Sequence, residues 1–182
     1  MTANANDRPA IHRIVLTGFM GSGKSTVGPL VAKRLGWQFV DVDNVIEAEA
    51  GKKVAEIFAA EGEAGFRARE RETIARLAKD CSVVMALGGG AIEDAQTREL
   101  LLSSPGTLLV NLDVELATTL KRCAGSEGTR PVLADQENLA ARYERRRPLY
   151  RAAHVTIGVD ALTPKQAAEA VVKAAGLELG AS

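Results

Sequence analysis

The sequence lacks several features that would point to a particular kind of partner. It carries no net charge, with 23 basic and 23 acidic residues, so the excess of Lys and Arg that marks most nucleic-acid binders is missing. It contains no apolar run of the roughly 18 residues that would span a membrane. The polar first ten residues have no apolar signal-peptide core, and we expect residues 1–10 to form a disordered tail. These absences predict a cytoplasmic protein that binds neither nucleic acid nor membrane.

Cysteine is scarce as well. Cys81 and Cys123 are the two cysteines, and their spacing fits neither a CxxC motif nor a metal-ligand pattern. In a cytosolic chain we expect two unpaired thiols. What the sequence does have is a globular composition, 46% hydrophobic and 25% charged, in a length that suits one domain with its own core.

Strand-like and helix-like segments alternate along the chain, which predicts a parallel sheet covered by helices. The predicted strands are 11–17, 37–40, 82–87, 107–112 and 155–159. The predicted helices are 24–35, 43–50, 54–61, 63–79, 94–102, 114–122 and 136–151, with a last one beginning at Pro164. Residues 123–135 show no periodicity, and a loop of this length inside a compact domain is typical of a functional segment.

The clearest motif lies between the first strand and the first helix. Gly18 to Thr26 reads GFMGSGKST and fits the phosphate-loop pattern GxxxxGK[ST]. Glycines let backbone amides approach phosphate oxygens, and the helix that follows directs its positive end at the same anion. We therefore predict an ATP site, with Lys24 on the β- and γ-phosphates and Ser25 on Mg²⁺. The nucleotide-binding residues of this loop are Gly21, Ser22, Gly23, Lys24, Ser25 and Thr26.

A phosphate loop alone does not show whether the phosphate is transferred, hydrolysed or sensed. Evidence for a second substrate site is needed to decide among these. Asp41 and Asp43 follow the second predicted strand, and Gly88-Gly89-Gly90 ends the third. Ligands bind where parallel strands end, so one aspartate could face metal and the other a substrate hydroxyl. Either aspartate could also cap the next helix, and the three glycines could be simple loop punctuation.

These segments together resemble shikimate kinase. The resemblance covers about residues 11–157 and rests on GFMGSGKSTVG, DVD, IFAAEGEAGFRARE, LGGG, RPVL and RRRPLYR. Many families share the phosphate loop, whereas FxxxGExxFRxxE with GGG and RxPLY is far more specific. The resemblance implies a three-layer α/β P-loop fold of the nucleoside monophosphate kinase type, with a five-stranded parallel sheet in the order 2-3-1-4-5. Residues 1–182 would form a single kinase domain, with a substrate-binding subregion at 43–80 and a mobile lid at 123–136.

The resemblance also implies a reaction, in which ATP phosphorylates the 3-hydroxyl of shikimate, a step of chorismate and aromatic amino acid biosynthesis. Asp43 would bind the reacting hydroxyl, and Arg67 and Arg146 would clamp the carboxylate, for which a guanidinium is suited. Taken alone, Arg67 is typical of a solvated charge, because charged residues surround it on its helix. The implied substrate pocket consists of Asp43, Phe58, Phe66, Arg67, Gly88, Gly89, Gly90 and Arg146.

On the donor side the implied catalytic residues are Lys24, Asp43 and Arg130. Arg130 would be the lid arginine that closes over the transferring phosphoryl group. Arg122 would lie beside the adenine, and Asp41 would join Ser25 on the Mg²⁺ side. The connection 160–164 lacks an arginine that often accompanies the adenine in this family.

Two other functions stay open on the residues alone. A gluconate-type kinase would share the phosphate loop and lid without the GExxFRxxE and GGG segments. An ATP-binding regulator would need no acceptor pocket, and Asp43, Arg67 and Arg146 together argue against it. We expect a monomer that acts on a small molecule.

Overall fold

The computed structural model describes residues 10–123 and 136–177. Arg130, residues 1–9 of the predicted tail and most of the predicted lid lie outside the described residues.

Five parallel strands form one sheet in the order β2-β3-β1-β4-β5, which confirms the order implied by the resemblance. The strands are β1 Arg13–Thr17, β2 Gln38–Asp41, β3 Val83–Ala86, β4 Thr107–Asp113 and β5 Val155–Gly158. In the central register Leu16 pairs with Ala86 on one side and with Val110 on the other. Because every pairing is parallel, the carboxyl ends of all five strands meet at one edge.

Seven helices of the described chain connect and cover these strands. They are α1 Lys24–Leu35, α2 Val42–Ala50, α3 Val54–Leu77, α4 Ala95–Ser103, α5 Leu116–Cys123, α6 Gln136–Arg151 and α7 Pro164–Ala174. Local signals set several of their ends. The side chain of Asp94 accepts the Thr97 amide at the start of α4, and Thr163 forms a capping box with Gln166 at the start of α7.

Helix α3 departs from the prediction of two separate helices. It runs from Val54 to Leu77 with one non-helical residue, Gly62, at φ 71° and ψ 179°. This left-handed φ costs glycine little, so the break occurs where the sequence suggested but is confined to one residue. Arg69 donates to the Glu61 carboxylate across the kink, at 2.8 and 2.9 Å.

The central strands form the middle of the core, as expected for a parallel sheet covered on both faces. Every residue of β1 and β3 is buried. Val27 and Val31 of α1 are buried in the same core, whereas Leu30 of that helix is 38% exposed. Cys81 is exposed and Cys123 is buried, and neither forms a disulfide within the described residues. In the described ranges, no helix combines the length and apolar character needed to cross a membrane.

Candidate active site

A cavity of about 910 Å³ joins the two groups of residues that the sequence singled out. The phosphate loop, Gly21 to Thr26, lines one part of it. The other part is lined by Asp43, Arg67, Gly88 to Gly90 and Arg146. Residues more than 100 positions apart in the sequence therefore face one space, as expected where parallel strands end.

The phosphate loop has the backbone conformation that its glycines permit. Gly18, Gly21 and Gly23 have φ values of 142°, 75° and 94°. A Cβ on Gly18 would lie 2.5 Å from the carbonyl oxygen of Leu112, so only glycine fits there. The loop curls around the Lys24 ammonium, which donates to the carbonyl oxygens of Gly18 at 2.7 Å and Phe19 at 3.2 Å. A positive charge and backbone donors are thereby gathered at the start of α1.

Asp41 links the phosphate loop to helix α2. The Ser25 hydroxyl donates to Oδ2 of Asp41 at 3.1 Å. The other oxygen, Oδ1, accepts the amides of Asp43 at 3.1 Å and Asn44 at 3.4 Å. Asp41 is therefore the N-cap of α2, and Asp43, for which capping was also open, lies in the first helical turn.

Ser25 and Asp41 also form a suitable binding site for Mg²⁺. They present a hydroxyl and a carboxylate oxygen side by side, and Mg²⁺ prefers oxygen ligands while keeping several waters. Among the residues that the structure describes, no group of three or more metal-ligating side chains is present.

Asp43 lines the cavity with a carboxylate that keeps unused hydrogen-bonding capacity. Its Oδ1 is buried and has no hydrogen-bond partner among the described residues. Burial raises the pKa of Asp43, Asp41 adds to the rise, and Lys24 and Arg67 oppose it. A Cβ on Gly88 would approach this oxygen to 2.8 Å, so glycine is required for the carboxylate to lie there. The chemistry available at this point is acceptance of a proton from a hydroxyl group.

Arg67 faces the cavity rather than bulk water. Its Nη1 donates to Oε2 of Glu70 at 2.5 Å, and Glu70 is almost fully buried. Burial raises the pKa of Glu70 to about 7, although Arg67 lowers it. The guanidinium carbon lies 5.4 Å from the centre of the Phe66 ring, which stacks on Phe58 with ring centres 4.6 Å apart. The interpretation of Arg67 as a solvated charge is therefore wrong, and Phe58 and Phe66 form the apolar wall behind it.

Arg146 is the buried member of the arginine triplet. Its side chain is 9% exposed, against 63% for Arg145. It donates from Nε and Nη2 to Oε2 of Glu93, at 3.0 and 2.7 Å. The guanidinium of Arg147 instead lies 5.7 Å from the centre of the Tyr143 ring.

Two residues of the site were missed from sequence. Glu93 follows the three glycines without belonging to any motif, so only the fold brings it to Arg146. Tyr150 belongs to the RRRPLYR segment, so membership in that motif was the one sequence signal that could have pointed to it. Its hydroxyl donates to the carbonyl oxygen of Gly89 at 2.5 Å, and burial raises its pKa to about 12.

Arg122 borders the phosphate loop on the side opposite to Asp43. It donates to the carbonyl oxygen of Gly21 at 3.0 Å and to that of Val159 at 2.9 Å. It also lines the cavity, near Leu162 and Pro164. Arg122 thus ties the loop to the segment that follows β5.

Comparison with known proteins identifies the family. The model of the shikimate kinase family matches residues 20–175. The chain belongs to the shikimate kinase family. It is 42% identical over 166 residues to the shikimate kinase of Salinibacter ruber, covering 85% of this chain and 80% of that one. It is 47% identical over 152 residues to the shikimate kinase of Symbiobacterium thermophilum, covering 81% and 86%.

Solved structures agree with this assignment. A shikimate kinase from Acinetobacter baumannii in complex with shikimate superposes with a TM-score of 0.84 at 35% identity, covering 91% of this chain and 93% of that one. A gluconokinase from Sinorhizobium meliloti reaches a TM-score of 0.56 at 20% identity, over 93% and 94%, which shows a shared fold alone. The chain is therefore an ATP-dependent kinase of the shikimate kinase family, and the gluconate-type and regulator alternatives are not favoured.

Proposed function

We propose that the chain transfers the γ-phosphoryl group of ATP to the 3-hydroxyl of shikimate, using the two parts of the cavity as donor and acceptor sites. The observation that carries this proposal is the placement of the Asp43 carboxylate. It lines the same cavity as Lys24, the half-buried Arg67 and the buried Arg146, and its Oδ1 has no hydrogen-bond partner among the described residues.

The acceptor part has the charge and shape for a small hydroxylated acid. Arg67 and Arg146 both line it, and two guanidinium groups match the two oxygens of a carboxylate. Gly88 and Gly90 leave room for the Asp43 carboxylate and the Arg67 guanidinium, and Gly89 leaves its backbone open to close approach of a ligand. Phe58, which lines the cavity, would supply an apolar surface for the face of the ring, and the buried Phe66 supports it by stacking behind it.

Asp43 is the proposed general base of the transfer. A hydroxyl group held by the Asp43 carboxylate would be oriented toward the phosphate loop, and Asp43 would accept its proton as the new O–P bond forms. Phosphoryl transfer depends mainly on positioning and charge neutralisation, so a carboxylate is sufficient for this role.

The donor part is the phosphate loop. The amides of Gly21 to Thr26 would bind the phosphates of ATP, and Lys24 would neutralise charge on the β- and γ-phosphates. Ser25 and Asp41 would hold Mg²⁺, whose charge would offset the charge of the phosphates. Arg122 is proposed beside the adenine. Arg130 and the lid at 123–136 remain predictions from the resemblance, as do the substrate subregion 43–80, a monomeric state and a cytoplasmic location.

A coupled assay of ADP release tests this function directly. Shikimate, gluconate and nucleoside monophosphates would be compared as acceptors at equal concentration. We expect shikimate-dependent ADP release well above that with any other acceptor. Turnover with gluconate equal to that with shikimate would contradict the proposal, and ADP release that needs no acceptor would favour an ATPase.

The carboxylate clamp gives a prediction for Arg67→Ala. We expect the KM for shikimate to rise by tenfold or more, since the loss of one charge-assisted contact costs about 1.5–3 kcal/mol. The KM for ATP should change little, because Arg67 lies away from the phosphate loop. Steady-state kinetics with each substrate varied in turn would measure both constants.

Arg69→Ala is the matched control for this variant. Arg69 lies two residues further along α3 and pairs with Glu61, with its side chain 45% exposed. It does not line the cavity, so its removal should leave both KM values unchanged. Equal effects of the two variants on the KM for shikimate would remove Arg67 from the acceptor site.

A further inference from the structure

Glu93 is the one acidic residue that touches both Arg145 and Arg146 among the described ion pairs. We propose that Glu93 is a positioning residue, which fixes the guanidinium of Arg146 in the orientation that receives the carboxylate of the acceptor. This inference rests on the proposed function, because it assigns Glu93 a part in recognition of that carboxylate.

The contact between the two side chains leaves one edge of the guanidinium available. Oε2 of Glu93 accepts from Nε at 3.0 Å and from Nη2 at 2.7 Å, which is a side-on contact. A guanidinium carries five N–H donors in a fixed plane. A side-on partner uses the Nε hydrogen and one Nη2 hydrogen. The end-on edge formed by Nη1 and Nη2 can therefore still donate to both oxygens of a carboxylate.

The direction of that edge follows from its neighbours. Nη1 of Arg146 lies near Gly89, where an added Cβ would be 3.7 Å from it. The Tyr150 hydroxyl, which donates to the carbonyl oxygen of Gly89, lies beside the same point, 3.8 Å from that Cβ position. Glu93 therefore holds the guanidinium beside the glycine segment, which lines the cavity.

Glu93 also supplies a counter-charge before any acceptor binds. The Arg146 side chain is 9% exposed, and a buried cation without a partner is strongly destabilising. Partial burial disfavours the charged form of Glu93, but hydrogen bonds from Arg146 and Arg145 lower its pKa on balance. Glu93 is thus ionised at neutral pH, and Arg146 can stay extended in the cavity with no acceptor present.

The backbone that carries Glu93 is held in place on both sides. Glu93 ends a single 3₁₀ turn, Ala91–Glu93, in which Ala91 and Ile92 are buried. Its amide donates to the carbonyl oxygen of Gly90 at 3.0 Å. Arg98 of α4 donates to the carbonyl oxygens of Ile92 at 2.7 Å and Glu93 at 3.0 Å. A carboxylate on a fixed backbone can orient its partner more accurately than one on a free loop.

The same short segment supports both arginines of the proposed clamp. An added Cβ on Gly90 would lie 2.0 Å from Nη2 of Arg67, so Gly90 lies directly against that guanidinium. Three residues later Glu93 contacts Arg146. The segment from Gly88 to Glu93 thereby fixes the relative placement of the two cations, which is the geometry that a bidentate acid requires.

The alternative is that Glu93 merely attaches helix α6 to the core. Arg145 allows the two roles to be separated, because it bonds Oε1 of the same carboxylate at 2.8 and 3.0 Å while its side chain is largely exposed. If Glu93 acts only as an anchor for α6, its substitution should raise the KM values for both substrates. If it acts through Arg146, the rise should be confined to the KM for shikimate and should depend on Arg146.

The test is a double-mutant cycle of Glu93→Gln with Arg146→Lys. In the otherwise unchanged protein we expect Glu93→Gln to raise the KM for shikimate about five- to twentyfold. The KM for ATP should stay close to that of the unchanged protein, whereas the thermal midpoint should fall modestly because Arg146 loses its buried counter-charge. In the Arg146→Lys background the same change should have less than about a twofold effect, because the two side chains act as a unit. In the Arg145→Ala background the full effect should remain.

Controls make each outcome decisive. Glu169→Gln removes another arginine-paired glutamate, bonded to Arg34 at 3.4 Å on the surface, and should change neither KM. If Glu93→Gln does not fold, Glu93→Asp keeps the charge on a shorter side chain and should give a smaller rise in the KM for shikimate. An unchanged KM, or the same rise in the Arg146→Lys background, would overturn the proposal. Absence of shikimate-dependent turnover in the unchanged protein would instead overturn the proposed function and this inference with it.

Discussion

Asp43→Asn is expected to lower kcat by about 10²- to 10⁴-fold, the usual contribution of a general base. The amide preserves the size of the side chain and can still accept a hydrogen bond, but it cannot take up the proton of the attacking hydroxyl. The KM for ATP should change little, because Asp43 faces the acceptor part of the cavity. Rapid-quench measurement of phosphoryl transfer would separate the chemical step from product release.

The pH dependence of kcat provides a second readout of Asp43. Burial raises the pKa of this carboxyl above the ordinary value of 3.8. Only the ionised form accepts a proton, so kcat should fall as the pH decreases, and the fall should begin at a higher pH than for an ordinary aspartate. In Asp43→Asn this acidic limb should disappear from the residual activity.

A matched control for Asp43→Asn is Asp80→Asn. Asp80 is exposed and precedes β3, at the edge of the sheet opposite to the cavity, so its substitution should leave kcat and the acidic limb unchanged. A kcat of Asp43→Asn within a few-fold of that of the unchanged protein would exclude Asp43 as the base.

Lys24→Met should have the second large effect. Methionine keeps the length and the apolar stem of the side chain but removes its charge. Because one preorganised electrostatic contact to a reacting group contributes about 10²- to 10³-fold, we expect kcat/KM for ATP to fall by that factor. Steady-state kinetics at varied ATP, together with a binding measurement for ADP, would show whether the loss lies in affinity or in turnover.

Lys24 also holds the phosphate loop together, through the carbonyl oxygens of Gly18 and Phe19. A thermal melt should therefore accompany the kinetics, to separate loss of charge from loss of structure. Lys33→Met is the control, since Lys33 is exposed near the end of the same helix. Nearly unchanged kinetics with ATP in Lys24→Met would contradict the proposed role.

Sequence patterns predicted the fold closely because the signals were local. The apolar strand segments, the glycines of the phosphate loop and the proline that begins the last helix each act over a few residues. The strand order came from the family resemblance, since pairing between distant strands leaves little trace in one sequence. The continuity of helix α3 was harder to predict, because a glycine within a helical pattern can either end the helix or, as at Gly62, only kink it.

The site residues that belong to a sequence motif could be predicted, and the others could not. Lys24, Asp43, Arg67 and Arg146 stood in motifs, and the fold brings all four to one cavity. The exposure of Arg67 was misjudged from its neighbours alone, since the charge pattern of α3 does not show that Glu70 is buried beside it. Glu93 could not have been predicted as part of the site, because its contact with Arg146 depends on helix α6, which begins more than 40 residues later in the sequence.

The bonds of Asp41 carry a consequence for genetic studies of this protein. One carboxylate receives the Ser25 hydroxyl on its first oxygen and the amides of Asp43 and Asn44 on its second. A substitution at Asp41 is therefore expected to be pleiotropic: it would disturb the proposed cation site and, through the start of α2, shift the proposed base Asp43. Kinetic defects in an Asp41 variant would extend to both substrates, and adding excess magnesium would restore only part of the activity.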